Sequence, residues 1–106
     1  LDFLKTQVNL KTLILSNNSL SNIDPSTFSN LKELKEIDLS LNEFTKLPAD
    51  LTEALSSVEI MKFEHNKIFT IDSGYNGVDY KMTQLFLSFN QFTVITTAML
   101  EKFIKL

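Results

Sequence analysis

Leu10-Lys-Thr-Leu13-Ile-Leu15-Ser-Asn-Asn18-Ser-Leu20 decides how the chain is read, because the same template is written three more times. Leu34-Lys-Glu-Ile37-Asp-Leu39-Ser-Leu-Asn42-Glu-Phe44 follows it, then Val58-Glu-Ile-Met61-Lys-Phe63-Glu-His-Asn66-Lys-Ile68 and Met82-Thr-Gln-Leu85-Phe-Leu87-Ser-Phe-Asn90-Gln-Phe92. Asn18, Asn42, Asn66 and Asn90 lie 24 residues apart each time, as do the openers Leu10, Leu34, Val58 and Met82. A fixed period with one apolar/Asn template is the mark of a repeat array. Within each copy, residues such as Leu13 and Leu15 alternate inward along a short strand. The Asn follows where the chain turns. An amide side chain offers both a donor and an acceptor to backbone groups that a buried turn leaves unpaired. Asn18, Asn42, Asn66 and Asn90 are therefore expected to form a structural ladder.

Working outward from the templates divides the chain. Residues 1–9 read as the tail of a preceding repeat, with Phe3, Leu4 and Val8 covering the first full layer. Repeat 1 takes residues 10–33, with Leu20, Ile23, Phe28 and Leu31 filling the interior on the return leg. Asp24-Pro25 is a helix-start signal, an acid at the cap and Pro at the first helical position, so a short helix or 3₁₀ turn is expected over 26–30. Repeat 2 takes residues 34–57, with Phe44, Leu47, Leu51 and Leu55 inward, and a short helix expected over 50–55. Repeat 3 takes residues 58–81. Its return leg, 73–80, holds both glycines of the chain, Gly74 and Gly77, and is expected to be an irregular loop. Repeat 4 takes residues 82–106, with Phe92 and Ile95 inward and a helical stripe of Met99, Leu100, Phe103 and Ile104.

Composition excludes more than it assigns. At 106 residues the chain is one domain's worth of material or less, and 43% apolar content fits a packed core. A net charge of −3 carries no basic footprint, so nucleic acid is not the expected partner. No apolar run approaches the roughly 18 residues of a membrane span, so direct membrane insertion is not expected within this segment. With no cysteine there is neither a disulfide nor a thiolate metal ligand. One histidine, no Gly-rich phosphate loop and no metal-ligand spacing leave no catalytic constellation, and carboxylates such as Glu33, Glu36 and Asp38 read as surface charges. No catalytic residue, cofactor or metal is expected. The start at Leu1 and the apolar end Phe103-Ile104-Lys105-Leu106 fit a fragment of a longer solenoid.

The strand template, matched in all four copies, resembles the leucine-rich repeat. Together with the 24-residue period and the return leg Ile23-Asp-Pro-Ser-Thr-Phe28-Ser-Asn-Leu31, it resembles that family's typical extracellular subclass, which includes Toll-like receptor ectodomains and insect immune proteins. The resemblance implies an α/β solenoid, a curved horseshoe segment with a parallel sheet on the concave face and short helices and loops on the convex face. It implies a non-enzymatic module of a secreted or cell-surface receptor, immune or adhesion protein, with a protein ligand or co-receptor as partner and a possible dimer through the parent protein. Two other readings stay open: a structural spacer or dimerisation segment, and an intracellular signalling scaffold. Arrays of the latter kind carry a return-leg Pro as Leu47-Pro48 does.

The same template names the outward residues. The sheet face should present Thr12, Ile14 and Ser16, then Glu36, Asp38 and Ser40, then Ile60, Lys62 and Glu64, and last Gln84, Phe86 and Ser88. Asn17, Leu41, His65 and Phe89 stand just past the strands. Ile14, Asp38, Leu41, Ile60, Lys62, His65, Phe86 and Phe89 are the candidate partner-binding set. Phe86 and Phe89, one layer from His65, suit an aromatic anchor. Scattered exposed apolar side chains are ordinary, and only a contiguous patch marks a binding face. A cluster of Ile14, Ile60 and Phe86 would favour recognition, and their dispersal among charges a spacer. Asn17-Asn18-Ser19 is the N-glycosylation sequon, making Asn17 the glycan candidate.

Overall fold

The computed structural model describes residues 4, 6–47, 54–55, 57–71 and 81–93. Alternating apolar residues produce four short strands: β1 (Thr12–Ile14), β2 (Glu36–Asp38), β4 (Ile60–Lys62) and β6 (Gln84–Phe86). They form one parallel sheet in the order β1-β2-β4-β6. The register carries the 24-residue period into space: Leu13 pairs with Ile37, Ile37 with Met61 and Met61 with Leu85. Three residues suffice for each strand because the ladder runs on into the turns. The Leu15, Leu39 and Phe63 N–H groups donate to the Asp38, Lys62 and Phe86 carbonyls at 2.7–2.9 Å. A second, two-stranded parallel sheet joins β3 (Lys46–Leu47) to β5 (Thr70–Ile71) on the return side. The sequence reading gave Leu47 an interior role and did not foresee its pairing with Ile71.

One side of the main sheet is buried. Leu13, Leu15, Ile37, Leu39, Met61 and Phe63 pack against Ile23, Phe28, Leu31, Phe44, Leu47, Leu55 and Ile68 of the return legs. Phe44 meets Phe63 edge to face, with ring centroids 5.6 Å apart and planes at 82°, the arrangement the ring quadrupole favours. Burying a side chain of this size contributes about 1.5–3 kcal/mol. Leu10, Leu20, Ile71, Leu85, Leu87 and Phe92 pack against this core while only half-buried, so the interior is driest in the middle layers. Leu20 and Phe92 were expected inward. They fall short because each lies toward an outer layer of the described stack.

The return leg after β1 forms a 3₁₀ helix over Pro25–Phe28. Asp24 caps it, its carboxylate accepting from the Ser26 N–H at 3.0 Å. The helix is shorter than the 26–30 span expected and begins at the proline itself, and it drives Phe28 into the core. Leu4 is buried against the first layer, whereas Val8 is half-exposed and does not cover it. The helix expected over 50–55 falls almost wholly outside the described residues. The irregular leg 73–80, Leu51, Ile95 and the stripe through Met99, Leu100, Phe103 and Ile104 lie outside them altogether.

Candidate functional site

The turn after each strand builds the site, and it has an inner and an outer residue. The inner one is the asparagine. Asn42 is buried, and its Nδ2 donates to the Leu39 and Ser40 carbonyls of its own turn and to the Leu15 carbonyl of the layer before, at 3.0–3.1 Å. Its Oδ1 accepts from the Asn18 and Leu20 N–H groups. Asn66 repeats the pattern, donating to Leu39, Phe63 and Glu64 and accepting from the Phe44 N–H at 3.0 Å. Asn90 donates to Phe63, Leu87 and Ser88 and accepts from the Ile68 N–H at 2.9 Å. Each amide thus joins two layers through backbone groups that would otherwise be orphaned, a loss of about 1–3 kcal/mol per group. Asn18 differs. It is exposed, and its Nδ2 reaches only the Ser16 carbonyl at 3.0 Å, because no earlier strand of the sheet stands beside it among the described residues.

The outer residue immediately precedes the asparagine. Asn17, Leu41, His65 and Phe89 all adopt positive φ, from 57° to 59°. The left-handed region costs a residue with a Cβ about 1–2 kcal/mol. The conformation turns the chain out of the strand while keeping its N–H in the ladder: Asn17, Leu41 and His65 donate to the Ser40, Glu64 and Ser88 carbonyls at 2.9–3.1 Å. These side chains consequently stand one above the next along the rim of the sheet face. The His65 and Phe89 rings are parallel within 5°, with centroids 4.3 Å apart. Phe89 is 74% exposed and Leu41 52% exposed. Phe89 therefore does not fold beneath its own turn. It leans on the histidine of the neighbouring layer.

On the strands, register decides which outward residues meet. Ile14, Asp38, Lys62 and Phe86 form one row across the sheet, and Thr12, Glu36, Ile60 and Gln84 the next. Ile14, 64% exposed, is separated from Phe86 by two charged side chains, and Ile60 stands in the other row. The three do not cluster. Lys62 Nζ lies 3.3 Å from Glu36 Oε2, a partly exposed pair worth at most about 1 kcal/mol. Asp38 Oδ1 accepts from both the Ser40 N–H, at 2.9 Å, and its hydroxyl, at 2.6 Å, which fixes the carboxylate.

The side-chain contact that the rim does show is His65 stacked on Phe89, with Leu41 exposed at the equivalent position of the layer before. The sequence offered Leu41, His65 and Phe89 as candidates, but a left-handed Leu or Phe has no signature in composition, so their common stacking geometry was not legible. Phe69, exposed just before β5, was missed altogether.

The chemistry available on this face is that of contact. Among the described residues no group of three or more His, Asp or Glu side chains is placed to hold a metal ion. A cavity of about 240 Å³ on the return side is lined by Phe28, Ser29, Leu31, Lys32, Ala54, Ser57 and Lys81, with no acid–base pair in its wall. No described helix is long and apolar enough to cross a membrane.

Comparison with known proteins agrees with this geometry. The chain is 36% identical over 85 residues to human leucine-rich repeats and immunoglobulin-like domains protein 1, an alignment covering 80% of the chain and 8% of that protein. It is 34% identical over 87 residues to human podocan-like protein 1, covering 76% of the chain and 16% of the relative. It is also 38% identical over 81 residues to an adenylate cyclase of Schizosaccharomyces pombe, again 76% of the chain but only 5% of that protein. The chain thus spans less than a fifth of each of these relatives. Residues 8–68 match the leucine rich repeat family model, which covers β1, β2 and β4 with their asparagine turns. The chain belongs to the leucine-rich repeat family.

Proposed function

We propose that this chain is a non-enzymatic protein-recognition segment of a secreted or cell-surface leucine-rich repeat protein, of receptor, immune or adhesion type. It docks a protein ligand or co-receptor on the outer face of the main sheet, taken as the concave side of a curved solenoid. The observation that carries this reading is the rim. Leu41, His65 and Phe89 occupy a backbone conformation that Gly or Asn adopts at lower cost, and there they hold apolar and aromatic surface out in solvent. Aromatic side chains fixed in this way lose little entropy on binding and suit an interface centre. Phe86, Ile14 and Ile60 supply flanking apolar contact, with Asp38 and Lys62 providing polar contact between them.

The extracellular placement is supported by the human relatives named above and by the sequon at Asn17. Asn17 is exposed at the opposite end of the rim from Phe89, so a glycan there would screen the first layer and leave the Phe86–Phe89 end open. The fission-yeast adenylate cyclase favours a second reading, an intracellular signalling scaffold. The charges between Ile14 and Phe86 favour a third, a structural spacer.

The deciding experiment is partner purification with the parent protein, followed by reconstitution of the identified partner with the purified chain. Phe86→Ser with Phe89→Ser is expected to abolish binding while leaving the urea-unfolding midpoint in place. Undiminished binding by that variant would remove the docking role from this face. For placement, intact mass with and without glycosidase should reveal a glycan on Asn17, and a bare Asn17 in the native protein would favour the scaffold.

A further inference from the structure

We propose that the docking face selects a cationic partner: a protein segment carrying an arginine or lysine between apolar side chains. This rests on the recognition reading above and names the chemistry of the ligand. The outward residues of the described strands and turns include Glu36, Asp38, Lys62 and Glu64. Lys62 is held 3.3 Å from Glu36, so that cation is already matched. Asp38 accepts hydrogen bonds from the Ser40 N–H and hydroxyl, which orient its carboxylate, and it faces Lys62 across the register. Glu64 lies in the next layer, two residues beyond Lys62, the residue that pairs with Asp38. A diagonal neighbour of this kind sits roughly 7–8 Å away. The middle of the face therefore presents three carboxylates, Glu36, Asp38 and Glu64, around the single ammonium of Lys62, a net negative charge among the described outward residues.

Their surroundings are apolar. Ile14 pairs with Asp38 in the register, and Leu41 donates its backbone N–H to the backbone carbonyl of Glu64, so the two residues are neighbours across layers. The stacked His65 and Phe89 rings follow. A guanidinium fits such a place better than any neutral group. It binds carboxylates through paired N–H donors, and its planar faces pack on aliphatic and aromatic side chains. A lysine would satisfy the charge alone. The whole chain carries −3, so its long-range field also draws cationic surfaces and repels acidic ones.

The test is selection of displayed random peptides on the full chain, with representatives synthesised and titrated. The selected sequences are expected to carry Arg or Lys next to Leu, Ile, Phe or Tyr. Their affinity should fall roughly three- to tenfold on Asp38→Asn with Glu64→Gln, and comparably when citrulline replaces the arginine. Both substitutions keep side-chain size and an acceptor oxygen, and an unchanged urea-unfolding midpoint verifies the fold. Acidic or uncharged selected peptides, indifference to the charge variant, or no enrichment at all would overturn the proposal. So would self-association that Phe86→Ser with Phe89→Ser abolishes, since the occupant would then be a second copy. If the aromatic variant abolishes peptide binding and the charge variant does not, docking on this face stands and its cation preference fails. If neither substitution matters, both are wrong.

Discussion

Leu41 and Asn42 are neighbours in the chain and opposites in environment, and the pairs His65–Asn66 and Phe89–Asn90 repeat the contrast. In the first two pairs the polar amide is buried and its companion, Leu41 or His65, is exposed. In the third, Asn90 is half-buried and Phe89 stands out in solvent. This inverts the usual rule that polar residues face water. The inner residue is polar because the turn exposes backbone carbonyls and N–H groups to the dry interior, and an amide answers several of them at once. The outer residue is under no such demand. Packing dictates what lies inside each layer, whereas the outer position is left to whatever the surface must contact. The inner position therefore reports the fold, and the outer one is free to vary without disturbing it.

Substitutions can break this contrast, the largest effects falling inside. Leu39→Ala, in the fully buried centre of β2's turn, should destabilise by about 2–5 kcal/mol through the cavity it leaves, read from the urea-unfolding midpoint. A midpoint equal to the wild type would contradict its inward assignment. Asn66→Ala removes the donor to three carbonyls and the acceptor of the Phe44 N–H, and should cost about 2–3 kcal/mol. Leu41→Gly works the other way. It relieves the left-handed strain and should leave stability unchanged or raise it by up to about 1 kcal/mol, despite losing a large apolar side chain. A loss above that size would mean that the exposed leucine packs against its neighbours. Smallest of all is Asn18→Ala. With one exposed side-chain bond to Ser16, it should cost no more than about 1 kcal/mol by thermal melting, so the same substitution discriminates an outer layer from a middle one.

Much of the inside was legible in the sequence. The 24-residue spacing of Leu13, Ile37, Met61 and Leu85 became the strand register itself, and Asp24-Pro25 became a capped 3₁₀ turn. The exposure of Asn18 was missed because a ladder read from sequence treats every rung alike, while a rung is completed only by the layers on both sides. Pairing of Lys46–Leu47 with Thr70–Ile71 was missed because two-residue strands carry no periodicity to detect.

The outside was legible as a set of residues and not as an arrangement. Whether Ile14, Ile60 and Phe86 cluster or disperse was left open by the sequence, and the register places Asp38 and Lys62 between the first and the last. Leu41, His65 and Phe89 were candidates from the start, but the positive φ they share was not legible in the sequence. Propensity argues against left-handed Leu and Phe, so this shared conformation is one that local sequence rules would reject.

The most direct measurement takes two adjacent residues of one turn, comparing the urea-unfolding free energies of His65→Ser and Asn66→Ala. If the inner residue holds the layers together and the outer one is surface held ready for a partner, Asn66→Ala should lose about 2–3 kcal/mol and His65→Ser no more than about 0.5 kcal/mol. Equal losses would contradict the division, and would make the stacked rim part of the scaffold rather than a face presented to another protein.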